Sequence, residues 1–181
     1  MFWRTIPHKT FRPAWLKDFP VDLVNNFAKY YNIDAVLLGA VVQVESAGNP
    51  NAVRFEPNFQ HTFDIFQLAN AIGCSPATME VMQKMSWGLM QVMGSVAYEQ
   101  GLGREIEPNN KWPSALLQPE VGMRYGCLHL RKKIDQYGAA PDIVYAAYNA
   151  GAPRKTKGGF FLNQGNVDKF LTFYRDLGGI Y

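Results

Sequence analysis

The chain has 181 residues, 48% of them hydrophobic and 14% aromatic, which is the composition of a folded globule and not of a disordered tail. That length lets one domain bury a substantial core, and the net charge of +3 suits an anionic polymer while being too small to argue for nucleic acid. No apolar run is long enough for a membrane span, and Cys74 and Cys127 give neither metal-ligand spacing nor a disulfide framework, so two ordinary buried thiols are expected.

From Met1 to Pro20 the chain has basic residues but no apolar run before a small-residue cleavage site, and no secretory signal is read there. Pro20 precedes a first helix in which Leu23, Phe27, Tyr30 and Tyr31 fall at helical spacing. A second helix is expected over Asp34 to Ser46, with Val36, Leu37, Ala40, Val41 and Val44 on one broad apolar face and Gly48 and Pro50 stopping it. Between Asn51 and Met85, Phe59, Phe63 and Phe66 point to a short helix, and Ser75 followed by Pro76 to the cap and first turn of another. A turn-rich strip from Ser86 to Gly94 leads into a short helix ending near Gly101.

Pro119 opens the longest helix, whose Met123, Cys127, Leu130, Ile134 and Tyr137 make a core stripe ended by Gly138. Pro141 starts the next helix and Gly151 caps it. A loop with Gly and Lys, Ala152 to Gly165, precedes a last helix with Val167, Phe170, Leu171 and Tyr174 toward the core. No repeat, linker or low-complexity segment interrupts the chain. The expectation is one mainly α domain over residues 1–181, with little or no β-structure; the sequence leaves the oligomeric state open and favours a monomer.

Glu45 is the anomaly of the second helix. It lies in the last turn beside Val41, Val42 and Val44, where burial and the negative end of the helix dipole both favour the protonated carboxyl. A proton donor working near neutral pH needs such an acid; a glutamate at the edge of a solvent-facing strip is the plainer alternative. Three blocks bear on the choice. Glu45-Ser46-Ala47-Gly48-Asn49-Pro50 ends the helix in a tight turn; Gly88-Leu89-Met90-Gln91-Val92-Met93 sets a glycine and an amide among apolar residues. Ala146-Ala147-Tyr148-Asn149-Ala150-Gly151 puts an aromatic ring and an amide at a helix C-terminus, where they offer a sugar stacking and hydrogen bonds.

These blocks, with Leu117-Gln118-Pro119-Glu120 between the second and third, resemble in this order the signature of the soluble lytic transglycosylases, relatives of goose-type lysozyme. The likeness runs from Asp34 to Tyr174. It implies a lysozyme-like fold, peptidoglycan glycan strands as substrate, no metal or organic cofactor, and Glu45 as the single catalytic acid and base. It further implies that Ser46 supports that carboxylate and that Gln91, Met93, Tyr148 and Asn149 contact the glycan. For Met90 and Met93, packing is the competing reading.

The sequence departs from the family pattern twice. The stretch from Pro50 to Gly88 is longer than usual, an insertion at about 53–85 that carries Arg54-Phe55-Glu56-Pro57. Arg54 and Glu56 look like a buried charge pair, and Glu56 is open between that structural role and contact with substrate. Where the family often carries an acidic Glu-Thr segment, this chain reads Gly165-Asn166-Val167-Asp168-Lys169, and Arg154, Lys155 and Lys157 are open between a solvated loop and contact with anionic stem peptides.

The resemblance implies cleavage between N-acetylmuramic acid and N-acetylglucosamine with a 1,6-anhydromuramoyl product. Hydrolysis on the same fold is the alternative; it needs a second carboxylate, for which Glu56 and Asp64 are the candidates. A non-catalytic glycan-binding component is a third reading, opposed by the presence of Glu45. Action on the bacterial wall, in the periplasm or outside the cell, is expected. The missing signal and the small size fit a phage-derived lysis protein or virion component.

Overall fold

The computed structural model describes residues 18–103 and 111–181, so the reading of the N-terminal segment falls largely outside the described residues. Helices dominate, as the periodicity predicts. The described residues form two compact units, one of residues 18–48 and 127–181 and the other of residues 49–103 and 111–126.

In the first unit the chain opens with helices α1 (Val21–Tyr31) and α2 (Ala35–Ser46). Asp34 is the N-cap of α2 and accepts from the Leu37 N–H at 2.8 Å, so one orphan donor of the first turn is satisfied by a side chain. Every residue of α2 from Ala35 to Val42 is buried. The helix is therefore apolar all round, wider than the single face read from the sequence, because it packs on α1 and also on the last helix, α8 (Gln164–Asp176). On α1 the buried residues are Val24 and Ala28, while Tyr30 is 82% exposed. The helix stands, but its inward face lies one position beyond Leu23 and Phe27. Val167, Phe170, Leu171 and Tyr174 of α8 are all buried, as their spacing requires.

Helix α6 (Pro119–Tyr137) begins in the second unit and ends in the first. Met123, Cys127, Leu130 and Ile134 are buried along it, and Gly138, at φ +86°, closes its end. Helix α7 (Pro141–Ala150) packs on α8 and ends at Gly151, at φ +79°. The buried Lys133 donates from Nζ to the Gly151 carbonyl at 2.6 Å, placing a cation at the negative end of α7. Between α7 and α8 the chain turns back on itself, with a bridge between Lys155 and Phe161 and the Lys155 ammonium 4.6 Å over the Phe161 ring.

The second unit holds α3 (Ile65–Ile72), α4 (Pro76–Gln83), α5 (Gly94–Glu99) and a short 3₁₀ helix (Pro113–Leu117). It also holds a small antiparallel sheet, β1 (Val53–Phe55), β2 (Met85–Trp87) and β3 (Val92–Met93), in the order β1-β2-β3. Register pairs Arg54 with Ser86, and Ser86 in turn with Met93. Ser75 caps α4 as expected, accepting from the Thr78 N–H at 3.1 Å. The helix expected around Phe59, Phe63 and Phe66 does not form in that frame. The buried Gln83 amide clamps the Phe63 backbone, accepting from its N–H at 2.5 Å and donating to its carbonyl at 2.6 Å. Asp64 then adopts φ +44°, α3 starts at Ile65, and Phe66 is left 74% exposed.

Candidate active site

Glu45 is half-buried in the last turn of α2. Its turn is closed by left-handed Ala47 (φ +53°) and Gly48 (φ +80°), and a Cβ on Gly48 would come within 2.9 Å of the Phe19 ring. The Ser46 hydroxyl works within that turn, donating to the Val42 carbonyl and accepting from the Gly48 N–H, each at 3.2 Å. Ser46 thus fixes the helix end from which Glu45 projects.

Two tyrosines of α7 bear on Glu45. The Tyr145 hydroxyl donates to Glu45 Oε1 at 2.9 Å. Tyr145 and Tyr148 are three residues apart and share a helix face. The Tyr148 phenol is pushed well above its ordinary pKa, first by burial, then by the negative charge of Glu45 and, further, of Cys127. Tyr148 therefore keeps its proton, and its burial fits the small, fully buried Ala146 and Ala147 before it. His129 of α6 packs edge-on to the Tyr148 ring (5.2 Å, 62°) and bonds its backbone. Burial, then the charges of Lys133 and Lys132, lower the His129 pKa to about 4.

Asn149 sits one residue beyond Tyr148 and is tied to the start of α8. Its Oδ1 accepts from Asn163 Nδ2 at 2.9 Å and from Asn166 Nδ2 at 3.1 Å. The same Asn163 Nδ2 lies 3.3 Å from the Ala146 carbonyl. A backbone carbonyl only accepts, so this contact assigns the Asn163 nitrogen and, through it, the Asn149 oxygen. Asn166 belongs to the segment that replaces the family's acidic one, and here it supplies an amide to Asn149.

The remaining sequence candidates belong to the second unit. Gln91, at φ +46°, ends the Gly88–Gln91 turn between β2 and β3. Its Nε2 donates to the Ala52 and Gly88 carbonyls at 2.9 and 3.0 Å, and its Oε1 accepts from the Ser86 hydroxyl at 2.9 Å. Gly88 is required twice over, by φ +71° and because a Cβ would meet the Leu116 carbonyl oxygen at 2.2 Å. Met90 is fully buried, and a Cβ on Gly126 would strike its sulfur at 2.3 Å, so Met90 is core. Met93 is half-buried on β3. Glu56 does pair with Arg54, but at the surface: their side chains are 34% and 64% exposed, against the buried pair expected. Such a pair contributes roughly 0–1 kcal/mol. The structure thus brings Glu45, Ser46, Tyr148 and Asn149 into one unit and Gln91, Met93 and Glu56 into the other.

The transglycosylase SLT domain model matches residues 22–160, which include all three blocks. The chain belongs to the transglycosylase SLT family. No match was found among curated proteins or among solved structures. The SLT family acts on peptidoglycan in the cell wall, and the mainly helical architecture of this chain is the one that membership calls for. No helix among the described residues is long and apolar enough to cross a membrane. Cys74 and Cys127 are both free; Cys127 is buried, whereas Cys74 is only half-buried because its turn follows the exposed Gly73.

Sequence reasoning passed over Tyr145, His129, Asn163 and Asn166. Tyr145 carried a usable signal, being one helical turn before Tyr148 on a helix already singled out. The other three lie on elements whose approach to α7 no local pattern encodes.

Proposed function

We propose that this SLT-family chain is a lytic transglycosylase that cuts the bond between N-acetylmuramic acid and N-acetylglucosamine, with Glu45 as the only acid and base. Glu45 gives its proton to the departing oxygen as the bond from the anomeric carbon breaks. The resulting carboxylate takes the proton of the muramoyl C6 hydroxyl, whose oxygen bonds to the anomeric carbon. The product is a 1,6-anhydromuramoyl end, and no water is consumed. One carboxylate suffices because the nucleophile belongs to the substrate, unlike the two-carboxylate arrangement of ordinary glycosidases.

The observation that carries this reading is the setting of Glu45: a half-buried carboxyl at a helix C-terminus with a buried tyrosine hydroxyl on one oxygen. Partial burial and the helix dipole favour its acid form, and the hydroxyl steadies its carboxylate form, so one group can serve both steps. Tyr148 and Asn149 are the proposed glycan contacts beside it. In the second unit Gln91 contributes chiefly by holding its own turn, since three bonds already engage its amide. Glu56 serves its pair with Arg54. Glu45→Gln tests the reading, because it keeps the shape and removes the proton. Loss of wall clearing with retained glycan binding is expected; clearing at the wild-type rate would refute the assignment.

A further inference from the structure

Between α7 and α8 lies a charged segment that the chemistry at Glu45 does not use. No Asp or Glu stands between Asp142 and Asp168, while Arg154, Lys155 and Lys157 fall within four positions. With those three set aside, the chain's other fifteen Lys and Arg equal its fifteen Asp and Glu, so this segment matches the whole excess of +3. Neither the Arg154 nor the Lys157 side chain pairs with an acid among the described residues.

The segment folds as a tight hairpin. The Leu162 N–H donates to the Arg154 carbonyl at 2.9 Å, Lys155 bridges to Phe161, and the Thr156 N–H donates to the Phe160 carbonyl at 2.8 Å. Gly159, at φ +84°, lets the chain reverse at the tip. Paired extended segments send successive side chains to opposite faces. Phe161 goes inward at 6% exposure, its N–H on Gln164 Oε1 at 2.9 Å and the Lys155 ammonium over its ring. Phe160 and Leu162 go outward, 65% and 60% exposed, on the face that Arg154 shares. Large apolar side chains exposed singly are ordinary, but these two stand together on a frame anchored by a buried ring, with cations beside them.

We propose that this hairpin docks the chain on an anionic phospholipid bilayer. Phe160 and Leu162 enter the boundary between headgroups and acyl chains, and Arg154 and Lys157 lie among the phosphates. The charge of the hairpin fixes the sign of its partner. A hydrated polyanion, such as the carboxylates of stem peptides, answers the cations but leaves both apolar side chains in water. A bilayer interface takes both at once, because long basic side chains reach the headgroups while apolar ones sink below them. Basic residues next to an anionic leaflet and apolar side chains within it are the two signals that together give firm surface binding. The docking does not depend on how Glu45 acts.

The test is co-sedimentation of the full chain with vesicles of phosphatidylglycerol and phosphatidylcholine in equal parts, and with vesicles of phosphatidylcholine alone. The wild-type chain is expected to bind the anionic vesicles at least about tenfold more tightly than the neutral ones, and added salt should weaken that binding. Arg154→Ser combined with Lys157→Ser should weaken it about twenty-five-fold, roughly fivefold for each cation. Phe160→Ser combined with Leu162→Ser should weaken it by about tenfold or more, with the melting temperature unchanged. Phe160→Trp keeps the ring and gives a second readout: bromine-labelled acyl chains should quench the added indole beyond any loss seen in the wild type. A wild-type chain that stays in solution, a Phe160→Ser, Leu162→Ser variant that binds as the wild type does, or an unquenched indole would each overturn the proposal. Sedimentation with purified cell wall that depends on these residues, without vesicle binding, would overturn it in favour of the stem peptides.

Discussion

The Asn163 side chain holds the Asn149 amide in one of its two orientations, with Asn163 Nδ2 lying 2.9 Å from Asn149 Oδ1 and 3.3 Å from the Ala146 carbonyl. Asn166 fills the second lone pair of the same oxygen at 3.1 Å. What Asn149 can offer a ligand is therefore its two N–H donors, and the matching group on the substrate is an oxygen acceptor.

Asn149→Ala removes those donors and is expected to raise KM roughly tenfold, the equivalent of a hydrogen bond contributing about 1–3 kcal/mol. Asn163→Asp should act at a distance. It puts acceptors opposite the Asn149 oxygen and favours the turned amide, so KM rises while the melting temperature changes little. Steady-state kinetics on a defined glycan oligomer checks both, and wild-type KM values in both would remove Asn149 from the site.

His129 makes stability fall in acid. Its folded pKa of about 4 lies below the ordinary histidine value of 6.5, so the unfolded chain binds the proton more readily than the folded one. Nothing is lost above the unfolded pKa. Stability declines as pH drops from about 6.5 toward 4, by a few kcal/mol in order of magnitude, and His129 adds no further slope below that. Urea melts across that range should show the decline, and His129→Gln should flatten it. A variant with the wild-type slope would assign the acid sensitivity to other groups.

Gly88→Ala is expected to cost about 2 kcal/mol or more, because the substitution combines a left-handed φ with a Cβ 2.2 Å from the Leu116 carbonyl oxygen. A thermal melt with an unchanged midpoint would show that the turn relaxes freely.

The helices were readable because their signals are local. Asp34, Pro119, Gly138 and Gly151 mark ends by their own backbone chemistry, and the stripe from Met123 to Ile134 needs only periodicity. The small sheet was not readable, since β2 and β3 have three and two residues and β1 pairs with β2 across the whole insertion. The Phe59 to Phe66 helix was misjudged because the Gln83 amide, 20 positions beyond Phe63, decides where the helix begins. At the site, Glu45, Tyr148 and Asn149 stood out as blocks. Tyr145 did not, because its role depends on the α2 helix end lying 100 positions away in sequence.

Glu56→Gln should leave both the product and the rate within about twofold of wild type, since the pair it breaks is exposed and contributes roughly 0–1 kcal/mol. Asp64→Asn should likewise keep the product type; Asp64 is an exposed residue at the start of α3. A switch in product or a collapse of activity in either variant would point to a carboxylate that activates water.

Digestion of peptidoglycan in heavy-oxygen water, followed by mass analysis of the new glycan ends, tests the chemistry most directly. An internal C6 hydroxyl held against the anomeric carbon has a large effective concentration over solvent. The account predicts muramoyl ends lighter by one water than reducing ends and free of the label. Reducing muramoyl ends carrying heavy oxygen at most cuts would contradict it and make the chain a hydrolase.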